Sequence, residues 1–423
     1  MFDLILSNAL LRGRRVDIAV RGAVFAAVEP AGALAHAEAH ARRDCSRFLL
    51  RPPFYNTHTH QAMTLLRGID DDCALMDWLT REIWPREARL TPDAVHAGTR
   101  LAILEGLRSG CVAFNDMYFH QPAVIRAAVE MGVRARVGLM FMDQVSDHIE
   151  NDAALALRDA LPPTVGLSLA PHALYTTTPD LLRRVAAQAD ALGLPLHIHA
   201  AETLAETAIA KERFGFDSPI AYLDACGILR PGAVLAHCCH ATEADLALIA
   251  DRGCFVAHCP QSNQKLASGV FPWAKAAAAG VRITVGTDGA ASNNGLSMIA
   301  EAKAAALSAK LGAGTPDALR FADLDRAVTE TAAEALGFPN AGRIAPGADA
   351  DFILVDLDTP AFAGGGDPDA NFVYAADSAC VDTVACAGRL LLEGRRLLVA
   401  DEAALLADAR AASETLRAPS PKP

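Results

Sequence analysis

The sequence predicts an α/β protein, a (β/α)8 TIM barrel joined to a small β-sandwich domain that both ends of the chain build together. Three observations lead there. In the middle of the chain, eight short apolar or β-branched runs are each followed by an Ala/Leu/Glu/Arg-rich helical stretch or a loop, which spells eight β/α units. Both ends instead carry short strand-like runs broken by turn residues. The length of 423 residues exceeds the roughly 250 that such a barrel uses alone, leaving room for a smaller second domain.

In chain order, residues 3–6, 17–20, 24–28 and 48–50 are strand candidates, and residues 1–53 form the first part of the small domain. Residues 54–345 form the barrel, with strands expected at 54–60, 111–117, 134–141, 164–172, 194–202, 234–239, 254–259 and 282–288. Residues 346–400 return to the small domain through runs at 350–355 and 383–392, with Gly388 and Gly394 as turn residues. Residues 401–423 close the chain: 402–416, rich in Ala and Leu, reads as a helix, and 417–423, with three prolines, as a frayed tail.

Composition narrows the function classes. At 52% hydrophobic and 21% charged residues the chain can bury a large core, which excludes disorder. A net charge of −12 argues against a nucleic-acid or anionic-membrane partner, either of which requires a basic face. The ten cysteines form no C-x-x-C pair and read as buried thiols of a reducing compartment. Met1-Phe2-Asp3 lacks the basic start of a signal peptide, and no run of about 18 apolar residues spans a membrane, so a cytoplasmic location is expected.

Ionisable residues collect where the barrel strands end. The first strand finishes Asn56-Thr57-His58-Thr59-His60, and side chains two apart on a strand share a face. Two imidazoles on one face at a barrel mouth suit a divalent metal better than two solvated loop histidines do. In His197-Ile198-His199-Ala200-Ala201-Glu202, His199 lies nearer the strand end and is the better ligand candidate, while His197 sits a layer deeper as a hydrogen-bonded core histidine. Glu202 reads either as a proton carrier or as an ordinary first-turn helix carboxylate. His237 has the better strand-end position in Ala236-His237-Cys238-Cys239-His240, with His240 a capping or solvated loop residue, and His258 reads either as packing or as a support behind the ligands. Asp288, between Gly286-Thr287 and Gly289 after an apolar strand, completes a His3Asp set with His58, His60 and His199. That N/O donor set suits zinc, with iron(II) as the alternative. No ligand-like lysine ends the fourth strand, which speaks against a carbamate-bridged second metal.

These strings, together with Met63-Thr64-Leu65-Leu66-Arg67-Gly68, Asp116-Met117-Tyr118-Phe119-His120, Pro171-His172-Ala173, Ser262-Asn263, Lys265-Leu266-Ala267-Ser268-Gly269 and Gly286-Thr287-Asp288-Gly289-Ala290-Ala291-Ser292-Asn293-Asn294, resemble the amidohydrolase superfamily, and within it the 5′-methylthioadenosine/S-adenosylhomocysteine deaminase branch. The resemblance runs in order over nearly the whole chain. It implies that His58, His60, His199 and Asp288 hold one divalent metal per subunit, and that Glu202, His237 and Asp288 carry the proton transfers and orient the attacking water. It further implies that His172 hydrogen-bonds the purine, that Glu87 grips the ribose hydroxyls and that Trp78 lines the pocket; Glu202 and Asp288 also face the substrate. Read without the family, Glu87 is a solvated helix charge and Trp78 a core residue.

The implied reaction is hydrolytic deamination at the 6-amino position of a 5′-modified adenosine, giving the inosine analogue and ammonia. A bound divalent ion lowers the pKa of its water to about 7, supplying hydroxide at neutral pH. The implied partner is a small purine nucleoside, without nucleic acid or membrane, and a homo-oligomer is compatible with the branch. One departure stands out: where branch members that hold the amino-acid tail of S-adenosylhomocysteine place arginine, the third strand is apolar, Val137-Gly138-Leu139-Met140-Phe141-Met142, and the next loop offers only His148. An apolar 5′ tail, as in methylthioadenosine or 5′-deoxyadenosine, is therefore expected. Gln261 and Gln264 have no assigned part. The competing readings are a deaminase or dechlorinase of another heterocycle (guanine, cytosine or a triazine), a barrel serving as a non-catalytic scaffold, and a metal-storage protein. A ribose-binding Glu87 separates the first, and filled acid–base positions disfavour the other two.

Overall fold

The computed structural model describes residues 1–144 and 147–417; the tail expected to fray lies, beyond Arg417, outside the described residues. The chain opens with β1 (Phe2–Leu11), β2 (Arg14–Arg21), β3 (Val24–Pro30), β4 (Ala39–Asp44) and β5 (Phe48–Arg51). Then come β6 (Phe54–Thr59), β7 (Cys111–Asp116), β8 (Arg134–Phe141), β9 (Val165–Pro171), β10 (His197–Ala200), β11 (Val234–His237), β12 (Phe255–His258) and β13 (Arg282–Val285). The last strands are β14 (Phe352–Asp356), β15 (Val381–Cys386), β16 (Arg389–Glu393) and β17 (Arg396–Leu397), and the helix Glu402–Arg417 closes the chain.

The eight central strands fall within a few residues of the expected runs. They pair as two parallel four-stranded sheets, β6-β7-β8-β9 and β10-β11-β12-β13. Parallel strands flanked by helices are buried on both faces, and β6, β7, β10, β11 and β12 are buried at every residue. The helices between them start on hydroxyl caps: Thr91, Thr178 and Ser218 each accept a backbone N–H and are followed by proline, whose fixed φ suits the first helical position.

The two sheets meet at both sides. Leu169 of β9 bridges Leu196 just before β10, and the Asp288 backbone N–H donates to His58 O at 3.0 Å beyond β13. At that second seam a Cβ on Gly286 would stand 2.8 Å from His58 N and O, so only glycine admits the approach. The Asn56 side chain fastens the same seam, donating to Thr287 Oγ1 at 2.7 Å and accepting the Thr287 N–H at 3.0 Å.

Strands from both ends of the chain share one hydrogen-bonded, nine-stranded mixed sheet among the described residues. The order is β17-β16-β15-β14-β5-β1-β2-β3, with β4 parallel to β1. The join between the two ends is the antiparallel pair β5·β14, with Leu50 opposite Leu354. Leu6, Ile18, Val20, Phe25, Leu50, Phe352 and Leu354 pack into a core of their own. Among the described residues no helix is long and apolar enough to cross a membrane.

Candidate active site

The ligating atoms of His58, His60, His199 and Asp288 all lie within 4.8 Å of one another, and all four side chains are buried. β6 delivers His58 and His60 on one face, β10 delivers His199, and Asp288 follows β13. The hydrogen bonds behind the rings fix which nitrogen is free. His60 Nδ1 donates to Met117 O at 2.5 Å and His199 Nδ1 to His172 O at 2.7 Å, which turns both Nε2 atoms toward the cluster and leaves a lone pair on that of His199. Those two Nε2 atoms are 3.3 Å apart. His58 Nδ1 meets His197 Nε2 at 2.8 Å, leaving its buried Nε2 without a hydrogen-bond partner, 3.5 Å from Asp288 Oδ1. Asp288 Oδ1 is 3.2 Å from His60 Nε2. Burial holds His58 down to about 4 and His199 well below the usual imidazole value, so both are neutral at pH 7. Burial lowers His60 as well, but the Asp288 carboxylate raises it to about 9, a proton that a divalent cation would displace. Three imidazole nitrogens converging with a carboxylate oxygen fit such a cation.

Asp288 Oδ2 accepts the hydroxyls of Ser262 at 2.6 Å and Ser292 at 3.0 Å, and Oδ1 accepts the Gly289 N–H at 2.7 Å. His237 Nδ1 bonds Asn263 Oδ1 at 2.8 Å, and its Nε2 lies 3.9 Å from Glu202 Oε2 and 4.0 Å from Asp288 Oδ2. Burial lowers the His237 pKa, but the facing carboxylates of Glu202 and Asp288 raise it further, for a net upward shift. Glu202 itself is buried, which pushes its pKa up against the pull of His237. Its Oε1 accepts Ser268 Oγ at 3.1 Å, so a proton on this group rests on Oε2.

A cavity opens over these groups. Its walls include His172, Glu87 and Trp78 beside Leu75, Leu79, Trp84, Tyr118, Phe119, Met140, Met142 and Tyr175. Burial drives His172 down to about 3; its Nδ1 bonds Thr176 Oγ1 at 3.0 Å, leaving Nε2 as an acceptor. The Glu87 carboxyl is pushed up to about 7 by burial although Tyr118 beside it pulls the other way. Trp78 donates its indole N–H to Ile69 O at 3.0 Å, so only its ring is left for a ligand. Glu87 and Trp78 thus lie in the cavity wall, as the family resemblance and not their local sequence implied.

The remaining histidines separate as their positions suggested. His197 backs His58, and His240 Nε2 bonds Ser268 O at 2.6 Å. His258 packs against Phe271 and Trp273. Gln261 bonds the buried Glu301, and Gln264 is exposed. Sequence reasoning missed the parts of Ser262, Ser292, Asn263, Ser268 and Glu206, whose Oε1 accepts the N–H groups of Glu202 and Thr203 at 2.8 and 3.2 Å. The signal for them was adjacency to the strand-end motifs.

Backbone strain gathers here too. Ala201, His237, Cys238 and Asp288 all have φ between 49° and 73°, a region that side chains with a Cβ rarely occupy. Each such residue costs on the order of 1 kcal/mol or more and persists because the surroundings over-determine it, as they do where catalytic groups are aimed.

Comparison with known proteins agrees with this geometry. The model of the amidohydrolase family matches residues 49–391. A 5-methylthioadenosine/S-adenosylhomocysteine deaminase of Nitratidesulfovibrio vulgaris is 41% identical, over 93% of this chain and 91% of that protein. A 5′-deoxyadenosine deaminase of Methanothermobacter thermautotrophicus is 40% identical over 87% of both. The crystal structure of an adenosine deaminase from Xanthomonas campestris with bound zinc superposes with a TM-score of 0.93 at 36% identity, covering 98% of this chain and 99% of that one. The chain belongs to the amidohydrolase family and groups there with the relatives named 5-methylthioadenosine/S-adenosylhomocysteine deaminases.

Proposed function

We propose that the protein is a zinc-dependent hydrolytic deaminase that converts the 6-amino group of a 5′-modified adenosine to the inosine analogue, releasing ammonia. The observation that carries the reading is a cluster of four candidate ligand atoms within 4.8 Å of one another, beside a cavity lined by Glu202 and His237. His58, His60, His199 and Asp288 would hold one ion per subunit. When bound, such an ion acidifies water and makes it a nucleophile at neutral pH.

The protein's own groups do the rest. Asp288 accepts the water proton on Oδ2, the oxygen that Ser262 and Ser292 orient. Glu202, whose burial favours the protonated carboxyl, donates from Oε2 to a ring nitrogen so that the aromatic ring can take up electrons as C6 is attacked. His237, its ring set by Asn263, steadies the oxygen added at C6. Asp288 then passes its proton to the 6-amino group, which leaves as ammonia while the hydroxyl proton goes to Glu202 and the C6 carbonyl forms. His172 hydrogen-bonds the purine, Glu87 accepts from the ribose hydroxyls, and the Trp78 ring covers the base.

The cavity also favours an apolar 5′ tail. Its walls hold Glu87, Glu202 and Asp288 but no lysine or arginine among the described residues. Arg134 is spent on Asp349 and Asp351, and Arg136 on the carbonyls of Leu167 and Leu336. Both ring nitrogens of His148 have partners, His120 Nε2 at 3.0 Å and Ala88 O at 3.2 Å. A tail carboxylate would therefore meet no cation.

The seams at Leu169–Leu196 and His58–Asp288 support reading β6–β13 as one closed barrel within residues 54–345. The β5·β14 pair supports reading 1–53 with 346–400 as the small domain, leaving 401–423 as a closing helix and tail. The deciding experiment measures ammonia release from adenosine, 5′-deoxyadenosine, methylthioadenosine, S-adenosylhomocysteine, guanine and cytosine, with metal analysis of the same sample. Turnover of a free base and of no nucleoside would sink the assignment.

A further inference from the structure

Glu301 lies outside the cavity wall, on the helix Met298–Ala313, with none of its surface exposed. A buried carboxyl is costly unless hydrogen bonds hold it, and no ion pair reaches this one among the described residues. Its Oε1 accepts the side-chain amide of Gln261 at 2.7 Å and that of Asn293, and its Oε2 accepts the Gln261 backbone N–H at 3.3 Å. Those two partners belong to different short helices. Gln261 lies in Pro260–Lys265, directly before Ser262 and Asn263; Asn293 ends Ala290–Asn293, directly after Ser292. Asn293 also donates to Thr287 O at 2.7 Å, the carbonyl just before Asp288.

Each helix therefore carries a group that touches the chemistry. Ser262 and Ser292 donate to the same Asp288 oxygen and lie 3.1 Å from each other, and Asn263 sets the His237 ring. We propose that Glu301 is a positioning residue for the deamination: through Gln261 and Asn293 it holds the two helices at the spacing that places Ser262 and Ser292 on Asp288 and Asn263 on His237. The claim rests on the proposed reading that Asp288 and His237 handle the water. It gives Gln261 a part that its sequence context did not reveal. It also explains why a carboxyl group, rather than an apolar side chain, sits between two helices: a Leu or Met could fill the space but could not accept N–H groups from both.

The test compares wild type with E301Q, E301A, Q261A and the double variant E301A/Q261A, reading kcat and KM for methylthioadenosine together with bound metal. A misplacement of about 1 Å costs roughly 10²-fold, so E301A should lose ~10–100-fold in kcat with KM within about threefold and metal content unchanged. E301Q, which keeps one acceptor oxygen, should recover part of that loss. If Glu301 acts through Gln261, the double variant should be no worse than E301A within about twofold, whereas independent effects would multiply. Wild-type kcat in E301A, or multiplying losses, overturns the proposal. Should E301A fail to fold, unchanged kcat in both E301Q and Q261A does the same.

A wild type that deaminates no nucleoside defeats the assigned reaction instead. The crystal structure of E301Q or E301A beside wild type then decides the positioning claim. Ser262 Oγ withdrawn from hydrogen-bond reach of Asp288 upholds it, and an unmoved Ser262 refutes it.

Discussion

His60 Nε2 and His199 Nε2 stand 3.3 Å apart, each on a ring whose other nitrogen is hydrogen bonded to a carbonyl oxygen. Against the lowering effect of burial, Asp288, 3.2 Å from His60 Nε2, favours a proton there and raises His60 to about 9, and a divalent cation bound at this point would displace that proton. Metal removal is expected to abolish activity and lower thermal stability. Ligand binding at about 1,000 times Kd is worth about 4 kcal/mol, so a fall of several degrees in Tm on chelation, restored by zinc, is the expected result. H199A should lose bound metal; full occupancy in that variant would remove His199 from the ligand set.

Glu202→Gln keeps the shape and removes the proton. Proton transfer by a positioned side chain contributes about 10²–10⁴-fold, and kcat should fall by that factor while metal content stays at the wild-type level. Near-normal turnover of methylthioadenosine would mean that another group protonates the ring.

Glu87→Ala should raise KM for nucleosides by roughly tenfold, the worth of one or two hydrogen bonds to a charged acceptor, with a smaller change in kcat. The contrast with a 2′,3′-dideoxynucleoside is the check. If the carboxylate binds the ribose hydroxyls, wild type and variant should handle that compound alike.

For the tail, kcat/KM for methylthioadenosine or 5′-deoxyadenosine should exceed that for S-adenosylhomocysteine by at least about tenfold, since a missing charge-assisted bond forfeits about 1.5–3 kcal/mol. A reversed preference in steady-state assays would require a cation that reaches the tail by rearrangement.

Stability should depend on pH through buried carboxyls, Glu206 and Glu301 among them. Burial raises Glu206 to about 7 and Glu301 to about 8, above the ordinary 4.5 of the unfolded chain. The folded state thus binds more protons than the unfolded one between these values. Stability from these groups is complete below about pH 4.5 and is lost as pH rises through 7 to 8. The upper bound is about 3 kcal/mol for Glu206 and about 5 kcal/mol for Glu301. Chemical denaturation at pH 5.5 and 8.5 should show a higher midpoint at the lower pH, and E206Q should narrow the difference. An equal or widened gap in E206Q would mean that Glu206 is ionised in the folded chain.

Much of the site was legible because strand geometry is local. A period of two puts His58 and His60 on one face whatever surrounds them, and an aspartate between glycines after an apolar strand has few structural uses. Other features depend on distant contacts. Glu87 has the surroundings of a solvated helix charge in sequence and becomes buried only when Tyr118 and the segment around Trp78 close over it. Strand β4, with the sequence Ala39-His40-Ala41-Arg42-Arg43-Asp44, has no apolar alternation; it is a strand because β1 offers an open parallel edge, with Leu4 opposite Ala41. Likewise, nothing beside Ser262 or Ser292 announces that both will reach one oxygen of Asp288.

The pairing of Leu50 with Leu354 brings together positions separated by most of the polypeptide. During synthesis, the opening strands emerge long before the segment that must lie against them, and they wait with one hydrogen-bonding edge bare. The order of assembly on the ribosome is thereby constrained: the central β/α units can pack as they appear, while the terminal sheet is sealed last. A chain released before residue 352 would keep every candidate ligand of the metal and still expose a sticky border, a natural target for chaperones and proteases.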